Sequence, residues 1–96
     1  MESQTFSRAV TIVNANGLHA RPADKMVKLA AQFKSRIEII KGHERVDGRS
    51  IISLLTLAAE QGTELVVEAT GEDAQAAVDA LAALIAHQFH EESEAG

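Results

Sequence analysis

The stretch Arg36–Val46, RIEIIKGHERV, contains the pattern that decides the arrangement of the sheet. Residues Arg36–Lys41 alternate and are rich in isoleucine, which is typical of a strand. Gly42 and His43 then fit a reverse turn, and Glu44–Val46 predicts a short second strand. Because a turn this short can only join antiparallel strands, the sequence predicts an antiparallel hairpin in the middle of the chain.

Strands and helices alternate on both sides of this hairpin. Alternating residues predict further strands over Phe6–Val13 and Glu64–Thr70. Helical spacing predicts a first helix from an apolar stripe of Pro22, Met26, Leu29, Ala30 and Phe33. Ser50–Gln61 predicts a second helix, with Gly62 as its left-handed cap. A third helix follows Glu72 and Asp73, acids that suit a helix start; its expected buried face is Ala74, Ala77, Val78, Leu81, Leu84 and Ile85.

The resulting order is βαββαβα, which indicates an α+β domain with helices covering one face of an antiparallel or mixed sheet. Order alone suggests a ferredoxin-like arrangement. With 96 residues the chain is long enough for one domain with its own core. We expect that domain to span residues 1–90, followed by a short acidic tail at 91–96.

Composition excludes several classes of function. There is no cysteine, so thiol catalysis and Cys-based metal sites are excluded. The formal charge of −5 and the presence of only three aromatic residues argue against nucleic-acid binding. No apolar run suggests a membrane span or a signal peptide. We therefore expect a cytoplasmic monomer without cofactor, metal, nucleic acid or membrane.

The segment NANGLHARPA, Asn14–Ala23, carries the candidate chemistry. Proline lacks an N–H and is tolerated only in the first turn of a helix, so Pro22 places His19 at the N-cap or just before it. The N–H groups of Ala20 and Arg21 then lack intrahelical acceptors. Such a helix end favours an anion, and it would stabilise a phosphoryl group on His19. Spacing alone leaves open a second reading, in which His19 is a capping or packing residue.

Three segments resemble one family. GLHARPA (17–23) is similar to the active-centre motif of the HPr family, the histidine-containing phosphocarriers of the bacterial phosphoenolpyruvate-dependent sugar phosphotransferase system. VDGRSII (46–52) resembles the second signature of that family, and VEATGEDA (67–74) also has a counterpart there. The resemblance implies an open-faced β-sandwich, in which three helices cover one side of four antiparallel strands. Its strand order differs from the ferredoxin-like one.

The resemblance also implies roles for the residues of the motif. His19 would be phosphorylated through Nδ1, Arg21 would assist the transfer, and Asn16 would lie beside the phosphoryl group. The backbone of Ala20 and Arg21 would help to hold that group. The implied partners are Enzyme I, which donates the phosphate, and Enzyme IIA proteins, which accept it.

A docking surface is expected beside His19. Arg21, Lys25 and Lys28 share one helix face and form a local positive strip. The second helix carries more apolar residues than one buried face needs, and its second stripe matches the docking patch of the family. The expected docking residues are Ala20, Arg21, Lys25, Lys28, Arg49, Ile51, Ile52 and Leu55.

Ser50 has a structural and a regulatory interpretation. It is a good N-cap for the second helix. It also matches the second phosphorylation site of the family, which HPr kinase/phosphorylase modifies in some bacteria. A phosphate there would place negative charge in the docking patch.

Two alternatives to the sugar phosphocarrier stay open. One is an HPr-like regulatory protein that acts through Ser50 or in a nitrogen-related branch of the system. The other is a small-ligand or metal-binding module. His87 and His90 lie one helical turn apart with Glu91 nearby, which is too few ligands for a metal site.

Overall fold

The computed structural model describes residues 4–90, so the acidic tail at 91–96 lies outside the described residues. The elements follow the βαββαβα order, and a short 3₁₀ turn follows the last helix. They are β1 (Thr5–Thr11), α1 (Ala20–Ala30), β2 (Arg36–Lys41), β3 (Glu44–Asp47), α2 (Ile51–Thr56), β4 (Glu64–Thr70), α3 (Ala74–Ala86) and the turn Gln88–His90.

The four strands form one sheet in the order β1-β4-β2-β3, and each neighbouring pair is antiparallel. The hairpin β2–β3 pairs as its sequence predicts, with Ile39 opposite Val46. The ferredoxin-like arrangement suggested by element order is wrong in its strand order, because β4 and β2 lie at the centre of this sheet and β1 and β3 lie at its edges. The open-faced sandwich implied by the family resemblance is confirmed.

The core lies between the sheet and the helices. Strand β4 buries Leu65, Val67 and Ala69 on one face, while the residues between them are partly exposed. The buried face predicted for α3 is confirmed at all six positions, and Ala82 joins it. Helix α3 packs against β1 and β4, so the first and last parts of the chain share one core.

The other face of the sheet carries charged side chains. Arg45 bridges Glu38 and Glu68 at 2.6 and 2.5 Å. The hydrogen bond from Arg45 lowers the pKa of Glu38 from its ordinary value, and Arg36 adds to the effect. Polar groups of this kind suit a sheet face that is left without a covering layer.

Helix α2 is shorter than its sequence predicts. It ends at Thr56 rather than Gln61, and the next residues leave the helix through Ala58, whose φ is +50°. The predicted cap bonds elsewhere, since the Gly62 N–H donates to the Ile12 carbonyl at 2.8 Å. Gly62 therefore joins the end of β1 instead of capping α2, because long-range pairing outweighs the local helical preference.

Asp73 acts across the fold rather than on its own helix. It is the N-cap of α3, but its side chain does not cap that helix. Its carboxylate accepts hydrogen bonds from the N–H of Lys34 at 2.8 Å and from the N–H and hydroxyl of Ser35 at 2.9 and 2.5 Å. These bonds, that of the Ser35 hydroxyl above all, lower the pKa of Asp73. The carboxylate thereby ties the start of α3 to the segment before β2.

Candidate functional site

His19 is the N-cap of α1, the residue immediately before the helix begins at Ala20. Its backbone is extended (φ −91°, ψ −171°), and its carbonyl accepts a hydrogen bond from the Ala23 N–H at 3.0 Å. The residue is half-buried, and its side chain makes no capping bond to the helix. The position that Pro22 predicts for His19 is confirmed.

The first turn of α1 leaves two backbone donors next to His19. Pro22 has no N–H, and the N–H of Ala23 is already bonded to the His19 carbonyl. The N–H groups of Ala20 and Arg21 have no acceptor within the helix, and both residues are exposed. The helix end therefore offers donors and a positive dipole to an anion on residue 19.

Arg21 adds a full positive charge to this helix end. Its side chain is exposed, and among residues 4–90 no ion pair with a carboxylate involves it. Asn16 is also exposed and lies in the turn before the helix. A guanidinium here can bind a phosphoryl group that arrives at His19.

The loop that leads to His19 is held by residues far away in the sequence. The Leu18 N–H donates to the Ala59 carbonyl at 2.8 Å, and the Leu18 side chain is buried. Gly17 is buried with φ +68°, and a Cβ there would lie 2.5 Å from the Ala59 oxygen and 2.9 Å from the Glu60 Cα. The residues after α2 thus fix the path of the chain just before the helix.

Two lysines of the expected positive strip are engaged within the protein. The Lys25 Nζ donates to the Phe89 carbonyl at 2.5 Å, and Lys28 pairs with Asp24 at 3.0 Å. Lys25 therefore connects α1 to the turn after α3. Of the strip, only Arg21 has no carboxylate or carbonyl partner within residues 4–90.

Helix α2 packs against α1, and its apolar residues differ in exposure. Leu54 is fully buried and Leu57 is 1% exposed, whereas Ile52 is 68% exposed. Ile51 and Leu55 are half-buried at the edge of the core. Ile52 thus gives α2 an exposed apolar side chain.

Ser50 caps α2 as predicted. Its hydroxyl accepts a hydrogen bond from the Ser53 N–H at 3.2 Å. The preceding Arg49 is held on both sides: its guanidinium donates to the Phe33 carbonyl, and its N–H donates to the Asp47 carboxylate at 2.8 Å. The start of α2 is therefore anchored to the loop after α1.

Comparison with known proteins assigns the chain to a family. The family model for the HPr component of the phosphotransferase system (PTS), described by its phosphorylation site, matches residues 6–87. This match covers most of the chain and includes the whole His19 loop. The chain belongs to the HPr family.

The relatives support this membership along nearly the whole length. The HPr phosphocarrier of Cupriavidus necator is 43% identical over 86 residues, which cover 90% of this chain and 97% of that protein. The phosphocarrier NPr of Shewanella violacea is 41% identical over 88 residues, covering 92% and 97%. A crystal structure of HPr from Thermoanaerobacter tengcongensis superposes with a TM-score of 0.86 at 37% identity, covering 91% and 98%.

Family membership makes this chain a phosphocarrier, a protein that carries a phosphoryl group between others without catalysing turnover itself. Within residues 4–90, no helix is long and apolar enough to cross a membrane. In the same part of the chain, no group of three metal-ligating side chains could hold an ion. His87 and His90 instead stack, with ring centroids 6.3 Å apart, and the His87 Nδ1 contacts the Ala83 carbonyl at 2.8 Å.

The sequence analysis missed two features of the loop that leads to His19. Asn14 is 2% exposed, and its side-chain amide donates to the Gly17 carbonyl at 2.8 Å. Ala59 supplies the carbonyl that holds Leu18. Asn14 could have been noticed in the sequence as a polar residue directly after the apolar pair Ile12 and Val13. No sequence feature points to Ala59, because only the fold brings it to the loop.

Proposed function

We propose that His19 accepts a phosphoryl group on Nδ1 from Enzyme I, charged by phosphoenolpyruvate, and passes it to Enzyme IIA proteins of sugar permeases. The observation that carries the proposal is the position of His19 at the N-cap of α1, inside the segment GLHARPA. A cytoplasmic location accords with this role, because phosphoenolpyruvate is a cytoplasmic metabolite.

The proposed chemistry uses the lone pair of one ring nitrogen. The bond between Nδ1 and phosphorus forms as the bond between phosphorus and the donor breaks, so the phosphoryl group is transferred without other reactants. The product carries negative charge at a helix end where the N–H groups of Ala20 and Arg21 and the Arg21 guanidinium can stabilise it. Asn16, which lies exposed in the turn before the helix, would contact the same group.

The test is phosphorylation with Enzyme I and labelled phosphoenolpyruvate. We expect one phosphate per chain, labile in acid and stable in base, as a phosphoramidate is. His19→Ala should abolish it, whereas His43→Ala, which removes an exposed turn histidine, should retain it. An acid-stable phosphate, or one that survives His19→Ala, would contradict the proposal.

We propose that partners dock on the surface formed by Ala20, Arg21, Arg49, Ile51, Ile52 and Leu55. Exposed Ile52 would supply the apolar contact, and Arg21 the charge. Lys25, Lys28 and Arg49 would contribute less charge than the sequence implies, since each is engaged within the chain. Buried apolar anchors beside polar contacts are the usual composition of such interfaces.

We further propose that Ser50 is a regulatory phosphorylation site for HPr kinase/phosphorylase where the source carries that enzyme. Ser50 is half-buried and adjoins Ile51 and Ile52, so a phosphate would bring a charge of nearly −2 to the docking surface. Ser50→Asp should slow phosphorylation by Enzyme I, while Ser53→Asp, within the same helix, serves as the comparison. An unchanged rate for Ser50→Asp would contradict this assignment.

A second candidate is a nitrogen-related phosphocarrier or regulator. It is favoured by the similarity to the Shewanella violacea NPr, whose 41% identity nearly equals the 43% of the Cupriavidus necator HPr. The two are separated by offering the phosphorylated chain to Enzyme IIA proteins of each branch. Faster transfer to the sugar proteins supports the first proposal, and faster transfer to the nitrogen protein supports the second.

A further inference from the structure

Asn14 is an unusual residue for its place in the fold. Among residues 4–90, two polar side chains are buried, Asn14 and Ser35, each 2% exposed. Ser35 bonds to Asp73 beyond the C-terminal end of α1. Asn14 lies five residues before His19, at the opposite end of that helix. Burying an amide is costly unless its hydrogen bonds are made, so the bonds of Asn14 indicate what it does.

The amide of Asn14 holds the peptide group that precedes the helix. Its Nδ2 donates to the Gly17 carbonyl at 2.8 Å, and the His19 N–H donates to the same oxygen at 3.0 Å. On the other side of that peptide, the Leu18 N–H donates to the Ala59 carbonyl at 2.8 Å. One peptide group is thus held at both its oxygen and its nitrogen.

This peptide needs such a constraint because it follows a glycine. Gly17 has no side chain to restrict its rotation, and glycine visits many backbone conformations easily. A rotation about Gly17 would move the carbonyl that His19 is bonded to and, with it, the direction from which His19 enters the helix. The Asn14 amide opposes that rotation from the buried side of the loop.

We propose that Asn14 is a positioning residue for phosphoryl transfer to His19, an inference that rests on the proposed function. Asn14 acts through the Gly17 carbonyl and the His19 backbone, and it does not touch the phosphoryl group. A displacement of about 1 Å between reacting groups can slow a reaction about 100-fold. Loss of the amide therefore affects the transfer step rather than docking.

The experiment measures kcat and KM of Enzyme I, with phosphoenolpyruvate as phosphate source and this chain as acceptor, well below its unfolding temperature. Asn14→Leu removes the donor at similar size and should lower kcat about 10- to 100-fold, with KM within about twofold because the α2 surface is unchanged. Asn14→Ser retains a donor and should recover part of kcat. Ser35→Ala, the matched control, should lose stability and keep kcat.

The outcomes separate the two proposals. If the wild-type chain is not phosphorylated, the proposed function fails and the role of Asn14 fails with it. If the wild type is phosphorylated but Asn14→Leu keeps the kcat of Ser35→Ala, or changes KM alone, only the positioning role is overturned. If Asn14→Leu does not fold, the kcat values of Asn14→Ala and Asn14→Ser are compared, each per folded molecule. The alanine variant should have the lower kcat, and equal values would overturn the proposal.

Discussion

At the scale of single residues, the site depends on a glycine that tolerates no side chain. Gly17 combines a φ of +68° with a close approach to the backbone of Ala59 and Glu60. Gly42, in the β2–β3 turn, has a similar φ of +60°, but a Cβ added there would meet no other atom within 4 Å. The two positions therefore share a positive φ and differ in the space around them.

Gly17→Ala should cost more stability than Gly42→Ala. Each substitution loses about 1 kcal/mol by placing an alanine in the left-handed region, but Gly17→Ala adds about 1–3 kcal/mol because the loop and the Ala59 segment must move apart. Urea unfolding followed by circular dichroism measures both. Equal losses would show that the contact with Ala59 is not rigid.

At the scale of elements, two features matter. A few polar side chains link one segment to another, and α2 has a buried side and an exposed side. Asp73 links α3 to the residues before β2, and Lys25 links α1 to the turn after α3. The α2 side chains divide between the core at Leu54 and solvent at Ile52. The polar links and the buried side of α2 therefore bear on stability, whereas the exposed side of α2 bears on binding.

The Asp73 link predicts an acid-sensitive contribution to stability. The bonds from Ser35 and Lys34 lower the pKa of Asp73 in the folded state, so its contribution is present above the ordinary carboxyl pKa and is lost as pH falls through the lowered value. Asp73→Asn should destabilise the protein at neutral pH and flatten the loss of stability below about pH 4. The measurement is the urea midpoint as a function of pH. The control Glu72→Gln, at an exposed neighbour, should keep the wild-type pH dependence. If Asp73→Asn also kept it, Asp73 would not be the source of the acid-sensitive stability.

The two sides of α2 should separate stability from docking. Leu54→Ala should cost about 2–5 kcal/mol in unfolding free energy, because it opens a cavity in the core. Ile52→Ala should leave stability within about 0.5 kcal/mol and raise the KM of Enzyme I for this chain. Urea unfolding and phosphorylation kinetics on both variants check this, and an unchanged KM for Ile52→Ala would remove α2 from the docking surface.

At the scale of the whole molecule, the sheet order ties the two halves of the chain together. Strand β1 pairs with β4, so Thr5 lies opposite Thr70, and α3 covers both strands. Within residues 4–90, no strand pair apart from the β2–β3 hairpin is local in sequence. Removing β1 or α3 would therefore expose the core that the other helps to cover.

We expect this connectivity to give a single cooperative unfolding transition. The β1 amides that bond to β4 should show protection from hydrogen exchange similar to that of the β4 amides, because each strand loses a partner when the other opens. Exchange measured residue by residue under native conditions tests the expectation. Much faster exchange throughout β1 than in β4 would indicate that the edge strand opens independently.

Where the sequence succeeded, the deciding interactions are local. The alternation in Arg36–Lys41 and Glu64–Thr70 predicts both strands with their observed bounds, and Pro22 predicts the start of α1. Where it failed, a distant partner outweighs the local pattern. The segment after Thr56 leaves the helix to bond with the end of β1 and the His19 loop, and Lys25 bonds to Phe89 instead of remaining free.

The sequence by itself determined the order of the elements, the buried face of α3 and the location of His19 at a helix start, since backbone preferences and hydrophobic periodicity act over a few residues. Tertiary structure alone decided the order β1-β4-β2-β3, the end of α2 and the support of the His19 loop by Asn14 and Ala59. Those features depend on which surfaces meet, and many pairings of the same elements satisfy the local rules equally well.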